Sequence, residues 1–260
     1  LKVVLSGEGA DELFGGYNIY RDPFTARWYD RLPPWLRAGL GAAASLLPPA
    51  RGVNFLVRRG MSLEERYFGP TALFNEREKR RLLADYAGDG DPMFLTEAIW
   101  DATEGLDPVT RMQQVDLNLW LAGDILLKAD KMSMAHSLEL RVPYLDREVL
   151  REAQTYPDSY KLRGDTKAVL RTAANKTLPD AWANRTKKGF PVPIAKWLED
   201  PAFSAKVRKS FMSDVAAEYF DQDKLVAMLA DPKHERRKIW TAYTFLTWHE
   251  QFFEKFDGRS

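Results

Sequence analysis

The chain has 260 residues, 38 Lys plus Arg against 37 Asp plus Glu for a formal net charge of +1, and no cysteine. That length can bury the core of one large domain or two small ones, and the near-neutral balance gives no reason to expect nucleic acid or a membrane as partner. The lack of cysteine excludes disulfides, thiolate nucleophiles and Cys-based zinc sites within these residues, and fits a reducing, cytoplasmic setting.

The apolar run Val3-Val4-Leu5 reads as a strand that stops at Ser6. A turn with Gly7 and Gly9 follows, carrying Glu8 and, three residues on, Asp11, before the pair Gly15-Gly16. This puts carboxylates on a loop at a strand end, where open α/β sheets place their ligands. Two readings stand at this point. Glycines let a phosphate approach the backbone, and carboxylates beside phosphate hold Mg²⁺. Alternatively Asp11 and Glu12 only satisfy the first-turn amides of a helix. No methionine precedes the motif, so the chain is expected to be a piece of a larger protein.

The rest reads as mostly helical. Residues 33–47 begin at Pro33-Pro34 and stop at Pro48-Pro49. The apolar run 40–50 is broken by Gly41, Ser45 and two prolines, far short of the roughly 20 residues of a membrane span. Residues 51–60 are basic and suit a surface hairpin of helices or an interfacial amphipathic segment. Val109, Met112, Val115, Leu119, Leu126 and Ala129 recur at helical spacing and predict a buried helix face over 109–136. Residues 138–142 read as extended, closed by Pro143. The charges of Asp130, Lys131, Glu139 and Arg141 lie among apolar residues, so they are expected to be partly buried and paired. Glu139 with Arg141 or Lys131 would form a structural ion pair.

A helix is predicted over 165–176. Spacing by four would align Arg163, Lys167 and Arg171 on one face, suited to a polyphosphate or simply solvated. Residues 187–193 read as a loop. The last helix, 237–256, carries Trp240, Tyr243, Trp248, Phe252 and Phe256 on more than one face, which points to deep burial or a covered neighbour. His136, His234 and His249 show no metal-ligand spacing.

Three motifs together resemble the asparagine synthetase (glutamine-hydrolysing) family. Ser6-Gly7-Glu8-Gly9-Ala10-Asp11-Glu12 with Phe14-Gly15-Gly16-Tyr17 is similar to a signature of its synthetase domain. Lys131 to Ala135 with Glu139, Arg141-Val142-Pro143 and Leu145-Asp146 resembles that domain's central helix and turn. Lys167, Leu170-Arg171, Leu178-Pro179, Arg185-Thr186-Lys187 and Gly189-Phe190-Pro191 resemble its C-terminal stretch.

The resemblance implies an α/β parent, a PP-loop ATP pyrophosphatase with a Rossmann-like parallel sheet, of which this chain is a mostly helical portion with one strand. It implies ATP and Mg²⁺ as cofactors, with aspartate as the favoured carboxylate and ammonia derived from glutamine. An acyl-adenylate would form, and ammonia would displace AMP. Ser6 and Gly7 would touch the nucleotide, and Asp11 would hold Mg²⁺. Glu8 would take the amine's proton, and Lys167 would stabilise developing charge. Lys131, Glu139 and Arg141 would stand behind these groups, and Arg171 and Lys187 would reach pyrophosphate.

The family's Ser-Gly-Gly-x-Asp-Ser loop and its glutaminase domain do not occur in these residues. Residues 1–260 are therefore expected to be the C-terminal portion of a synthetase domain, inactive alone and partnered by the missing N-terminal part. Residues 31–60, the least family-like stretch, would be a helical insertion, and a homodimer is compatible. Amidation of another carboxylate, such as a sugar acid, stays open. Lactam synthetases carry tyrosine where this chain has Glu8, which argues against them. A non-catalytic helical binding domain would be expected to lose Glu8, Asp11 or Lys167, and all three are present.

Overall fold

A computed structural model of the chain describes residues 1–48, 50–69, 73–86, 88, 92–186, 189 and 192–254. It divides into two compact units, Leu1–Thr71 with Pro92–Thr186, and Ala72–Asp91 with Lys187–Ser260. Helix dominates both.

In the first unit the expected opening strand forms over Val3–Leu5 and pairs in parallel with Glu139–Arg141, Val4 opposite Leu140. Parallel strands are normally covered on both faces, yet Leu5 is 74% exposed. The same openness overturns the expected burial of neighbouring charges. Glu139 and Arg141 do pair, at 2.9 Å, but both are exposed. Asp130 and Lys131 are exposed too. Two short strands, among the described residues, offer too little surface to bury them.

The Pro34–Ser45 and Arg51–Gly60 helices form the expected hairpin. They meet at Gly41 and Gly60, where a side chain on Gly60 would come within 2.9 Å of the Gly41 Cα and 3.0 Å of the Arg37 carbonyl. Arg59, buried among polar groups, bonds Asp30 at 3.0 Å and Thr25 Oγ1 at 2.7 Å and fastens the hairpin to the preceding turns.

The long central helix begins at Pro108 and ends at Met134. Val109, Met112 and Val115 are fully buried beside Tyr20, Tyr67 and Trp100, as their spacing predicted. Over Asp116–Leu126 the helix adopts π geometry. The wider turn moves the buried face to Asp116, Leu121 and Ile125, leaving Leu119 and Leu126 only partly covered. Where the sequence predicted helix from 165, the helix spans Ala168–Ala174. Arg163 and Lys167 therefore precede it, and the three cations do not share a helix face. Left-handed backbone at Gly164 (φ 72°) and Lys167 (φ 56°) delays its start.

The second unit packs helices around Val207, Phe211, Leu225, Ile239 and Leu246. Its last helix, Pro232–His249, continues in π geometry through Glu250–Glu254. Tyr243 joins the core, but Trp248 and Phe252 are exposed, so deep burial holds only for the helix's middle. Phe256 lies outside the described residues. No described helix is long and apolar enough to cross a membrane.

We expect Gly60→Ala to lower the free energy of urea unfolding by about 1–3 kcal/mol, because its Cβ meets backbone on the facing helix. Gly39→Ala, whose Cβ would enter open space, should instead be neutral or add up to about 1 kcal/mol.

Candidate active site

The site grows from the end of the first strand. Ser6 N–H donates to the Arg141 carbonyl at 2.8 Å, extending the parallel pairing one residue into the loop. Gly7 and Glu8 turn the chain, and Gly9, at φ 88°, starts the short Ala10–Phe14 helix. A side chain at Gly9 would collide with Leu145, 2.2 Å away. The N-cap is Gly9, which brings no side chain, and Asp11 and Glu12 stand in the first turn. The two carboxylates go in opposite directions.

Asp11 turns outward and meets the Lys167 Nζ at 3.3 Å, each side chain about 25% exposed. Gly16 makes room for it, since a Cβ there would lie 1.7 Å from Asp11 Oδ1. The Lys167 amide donates to the Gly15 carbonyl at 3.4 Å, tying lysine backbone and aspartate loop together. Arginines brace the same segment from both sides. Arg21 donates to the Leu162 and Gly164 carbonyls at 3.4 and 2.9 Å. Arg171 donates to Thr166, Ala183 and Arg185 carbonyls at 2.9–3.2 Å and pairs with Asp165. Its guanidinium is thus engaged with backbone.

Glu12 turns inward and is buried. It accepts from the Tyr17 hydroxyl at 2.5 Å, and Trp120 Nε1 donates to that hydroxyl at 3.3 Å. Burial pushes the Glu12 carboxyl above the usual range despite the tyrosine bond, and the Asp11 and Glu8 charges add to the rise. Burial and the Glu12 contact push the Tyr17 phenol up. Gln113 donates to the Glu12 carbonyl at 2.5 Å and accepts from Lys161 Nζ at 2.9 Å. One turn on, Asp116 accepts from the Tyr67 hydroxyl at 2.6 Å and from Tyr20. Its other oxygen is buried without a hydrogen-bond partner among the described residues. Burial pushes this carboxyl up to about 6.

The structure therefore brings Asp11 and Lys167 into contact, with Ser6, Gly7 and Glu8 on the same loop. Arg141 joins them through its carbonyl, with Glu139 paired to its side chain. Lys131 lies exposed on the Leu127–Met134 helix, and Lys187 falls outside the described residues. Sequence reasoning missed the support beneath the loop: Glu12 as a buried group, Gln113, Asp116 and Lys161. The available signal was Gln113 and Asp116 standing four and seven residues after Val109, polar residues on an otherwise apolar helical face.

Among the described residues, no three His, Cys, Asp or Glu side chains converge as a metal centre. Asp11 offers one partly exposed carboxylate at a glycine loop. That donor set fits Mg²⁺ arriving with a polyphosphate, since the ion takes one or two carboxylates, phosphate oxygens and water.

Comparison with known proteins places these features in context. Residues 1–250 match the family model described as asparagine synthase. The chain is 41% identical, over 97% of its length, to asparagine synthetase (glutamine-hydrolyzing) 1 of Bacillus subtilis. It is 43% identical over 98% to a Mycobacterium tuberculosis protein provisionally given the asparagine synthetase name. It is 30% identical over 73% to asparagine synthetase (glutamine-hydrolyzing) 3 of B. subtilis. The chain spans about 40% of the length of the first two relatives. No solved structure matches it.

Asp116 gives the network a measurable pH signature. Its folded pKa of about 6 exceeds the unfolded value of 3.8. Stability is therefore unaffected below about pH 4, falls as pH rises through 4–6 while only the native state keeps the proton, and stays reduced above that. Relative to Asp116→Asn, wild type should lose roughly 2–2.5 kcal/mol of unfolding free energy between pH 4 and 7. Urea unfolding at several pH values checks this; parallel curves would remove the assignment.

Proposed function

Because the chain belongs to the asparagine synthase family, we propose that it supplies one side of an ATP-dependent amidation site. Residues 1–260 would be the C-terminal portion of a PP-loop-type synthetase domain, with the 31–60 hairpin an addition to it. The single observation that carries this reading is the Asp11–Lys167 contact at 3.3 Å on a glycine loop at a strand end.

In the proposed reaction a carboxylate oxygen of aspartate attacks the α-phosphorus of ATP, and the bond to pyrophosphate breaks. Ammonia from glutamine then attacks the acyl carbon, and AMP leaves with its bonding electrons. Ser6 and Gly7 line the nucleotide, and the Gly7 position opens onto free space. Asp11 would hold Mg²⁺ with phosphate oxygens, and the bound ion would neutralise charge on pyrophosphate. Lys167 places an ammonium where negative charge grows on phosphate and on the tetrahedral intermediate. Glu8, partly exposed in the turn, accepts the proton that the attacking nitrogen sheds.

Arg171 acts by holding the Thr166 carbonyl just before Lys167 and tying it to the Ala183 and Arg185 carbonyls further along the chain. Lys131, Glu139 and Arg141 would stand behind the catalytic groups, Glu139 and Arg141 on the second strand and Lys131 on the helix before it. Lys187, outside the described residues, remains a candidate pyrophosphate contact.

The test uses the longer protein that contains this chain. Lys167→Met and Asp11→Asn should each reduce aspartate-dependent pyrophosphate release by about 100-fold or more. A Lys167→Met rate equal to wild type would overturn the assignment. Release driven by a sugar acid and not by aspartate would keep the chemistry and replace the substrate. The 260 residues alone, lacking a Ser-Gly-Gly-x-Asp-Ser loop, should release no pyrophosphate above background.

A further inference from the structure

The outer face of the Pro34–Ser45 helix carries no charge. Trp35, Ala38, Gly39 and Ala42, then Leu46 just past its end, are all exposed and follow one helical stripe. Trp35 is 74% exposed, Leu46 83% and Leu47 55%. Ser45 spends its hydroxyl on the Ala42 carbonyl at 2.7 Å. The helix's one charged residue, Arg37, turns inward to Asp30 at 3.7 Å. A surface helix ordinarily shows the reverse, with charge outward, and an apolar patch of this extent marks an interaction surface.

Within the hairpin itself the charges have one sign, while Asp22 and Asp30 of the preceding turns pair with Arg37, Arg58 and Arg59. Residues 31–60 hold five arginines and no Asp or Glu, in a chain whose net charge is +1. Arg59 is spent on Asp22 and Asp30; Arg58 stands 3.7 Å from Asp22 with half its side chain exposed, and Arg31 is exposed. Trp28, also exposed, meets Tyr29 edge-on, and Tyr29 meets Phe55 of the second helix. Tryptophan at one end of an uncharged helical face, leucines at the other and arginines nearby suit the plane of a lipid interface. Indoles sit at headgroup depth, leucines reach the acyl boundary, and arginines meet anionic phosphates. A second copy of the chain fits less well. Twelve residues make a helix about 18 Å long, and one strip of it falls short of the roughly 800 Å² per partner of a standard interface.

We propose that the 34–60 hairpin is a peripheral membrane-docking element that lays this face on an anionic lipid surface. It does not depend on the catalytic reading. The near-neutral total charge hides it, because the local excess of arginine is cancelled elsewhere in the chain.

Vesicle flotation tests it. The longer protein that contains this chain should float with phosphatidylcholine vesicles containing phosphatidylglycerol, stay behind with phosphatidylcholine alone, and release at high salt. Leu46→Glu with Leu47→Glu should weaken binding more than about tenfold, since both side chains would enter the acyl boundary. Arg31→Gln with Arg58→Gln should weaken it by about 10- to 30-fold. All four positions are exposed, and unchanged circular dichroism would verify folding. Failure to float with anionic vesicles, or flotation of both double variants equal to that of wild type, overturns the proposal. A concentration-dependent dimer dissolved by Ala42→Glu would give the face to a second copy instead. Shielding of Trp35 from acrylamide in the longer protein, without vesicle binding, would give it to the rest of the polypeptide.

Discussion

Lys167 occupies a backbone conformation that side chains rarely adopt, φ 56° and ψ 38°, at a cost of about 1–2 kcal/mol. The candidate site depends on that residue staying there. One left-handed residue turns the chain so that the lysine's amide meets the Gly15 carbonyl and its ammonium meets Asp11. Arg21 ahead of it and Arg171 behind it bind five backbone carbonyls between them. The strain is thus held by contacts around the residue. A single exposed ion pair would be worth too little to hold it.

Beneath the loop, the same logic runs through buried polar groups. Gln113 satisfies both its amide ends, one on the Glu12 carbonyl and one on Lys161, so the loop helix, the central helix and the segment leading to Lys167 share one bonded group. Burial lowers the pKa of Lys161 and raises that of Asp158. Asp158 accepts from the Val109 amide at 3.0 Å. These groups are costly to bury and costlier to leave unpaired. Their value is that they fix one arrangement of three elements that hydrophobic packing alone would let slide.

Much of this was legible in the residues. The apolar run ending at Ser6, the glycine spacing and the extended 138–142 segment anticipated the strand, the loop and a second extended segment, but not the parallel pairing of the two. The 3.6-residue period of Val109, Met112 and Val115 identified the buried helix face. Three further things were not legible. The π geometry after Val115 comes from tertiary packing, and it moves the face from Leu126 to Ile125. The direction of Glu12 depends on Tyr17 and Gln113, and adjacent acids in a first turn look alike in sequence. The alignment of Arg163, Lys167 and Arg171 assumed a helix that the left-handed Lys167 prevents, and only long-range contacts hold a lysine in that conformation.

The most direct test of this account is a double-mutant cycle on unfolding free energy with Asp11→Asn, Lys167→Met and the pair together. If Asp11 and Lys167 meet as described, the two substitutions should couple by about 0.5–1 kcal/mol at low ionic strength and less at high salt. Strict additivity, within about 0.3 kcal/mol at low salt, would contradict the contact on which the site is built.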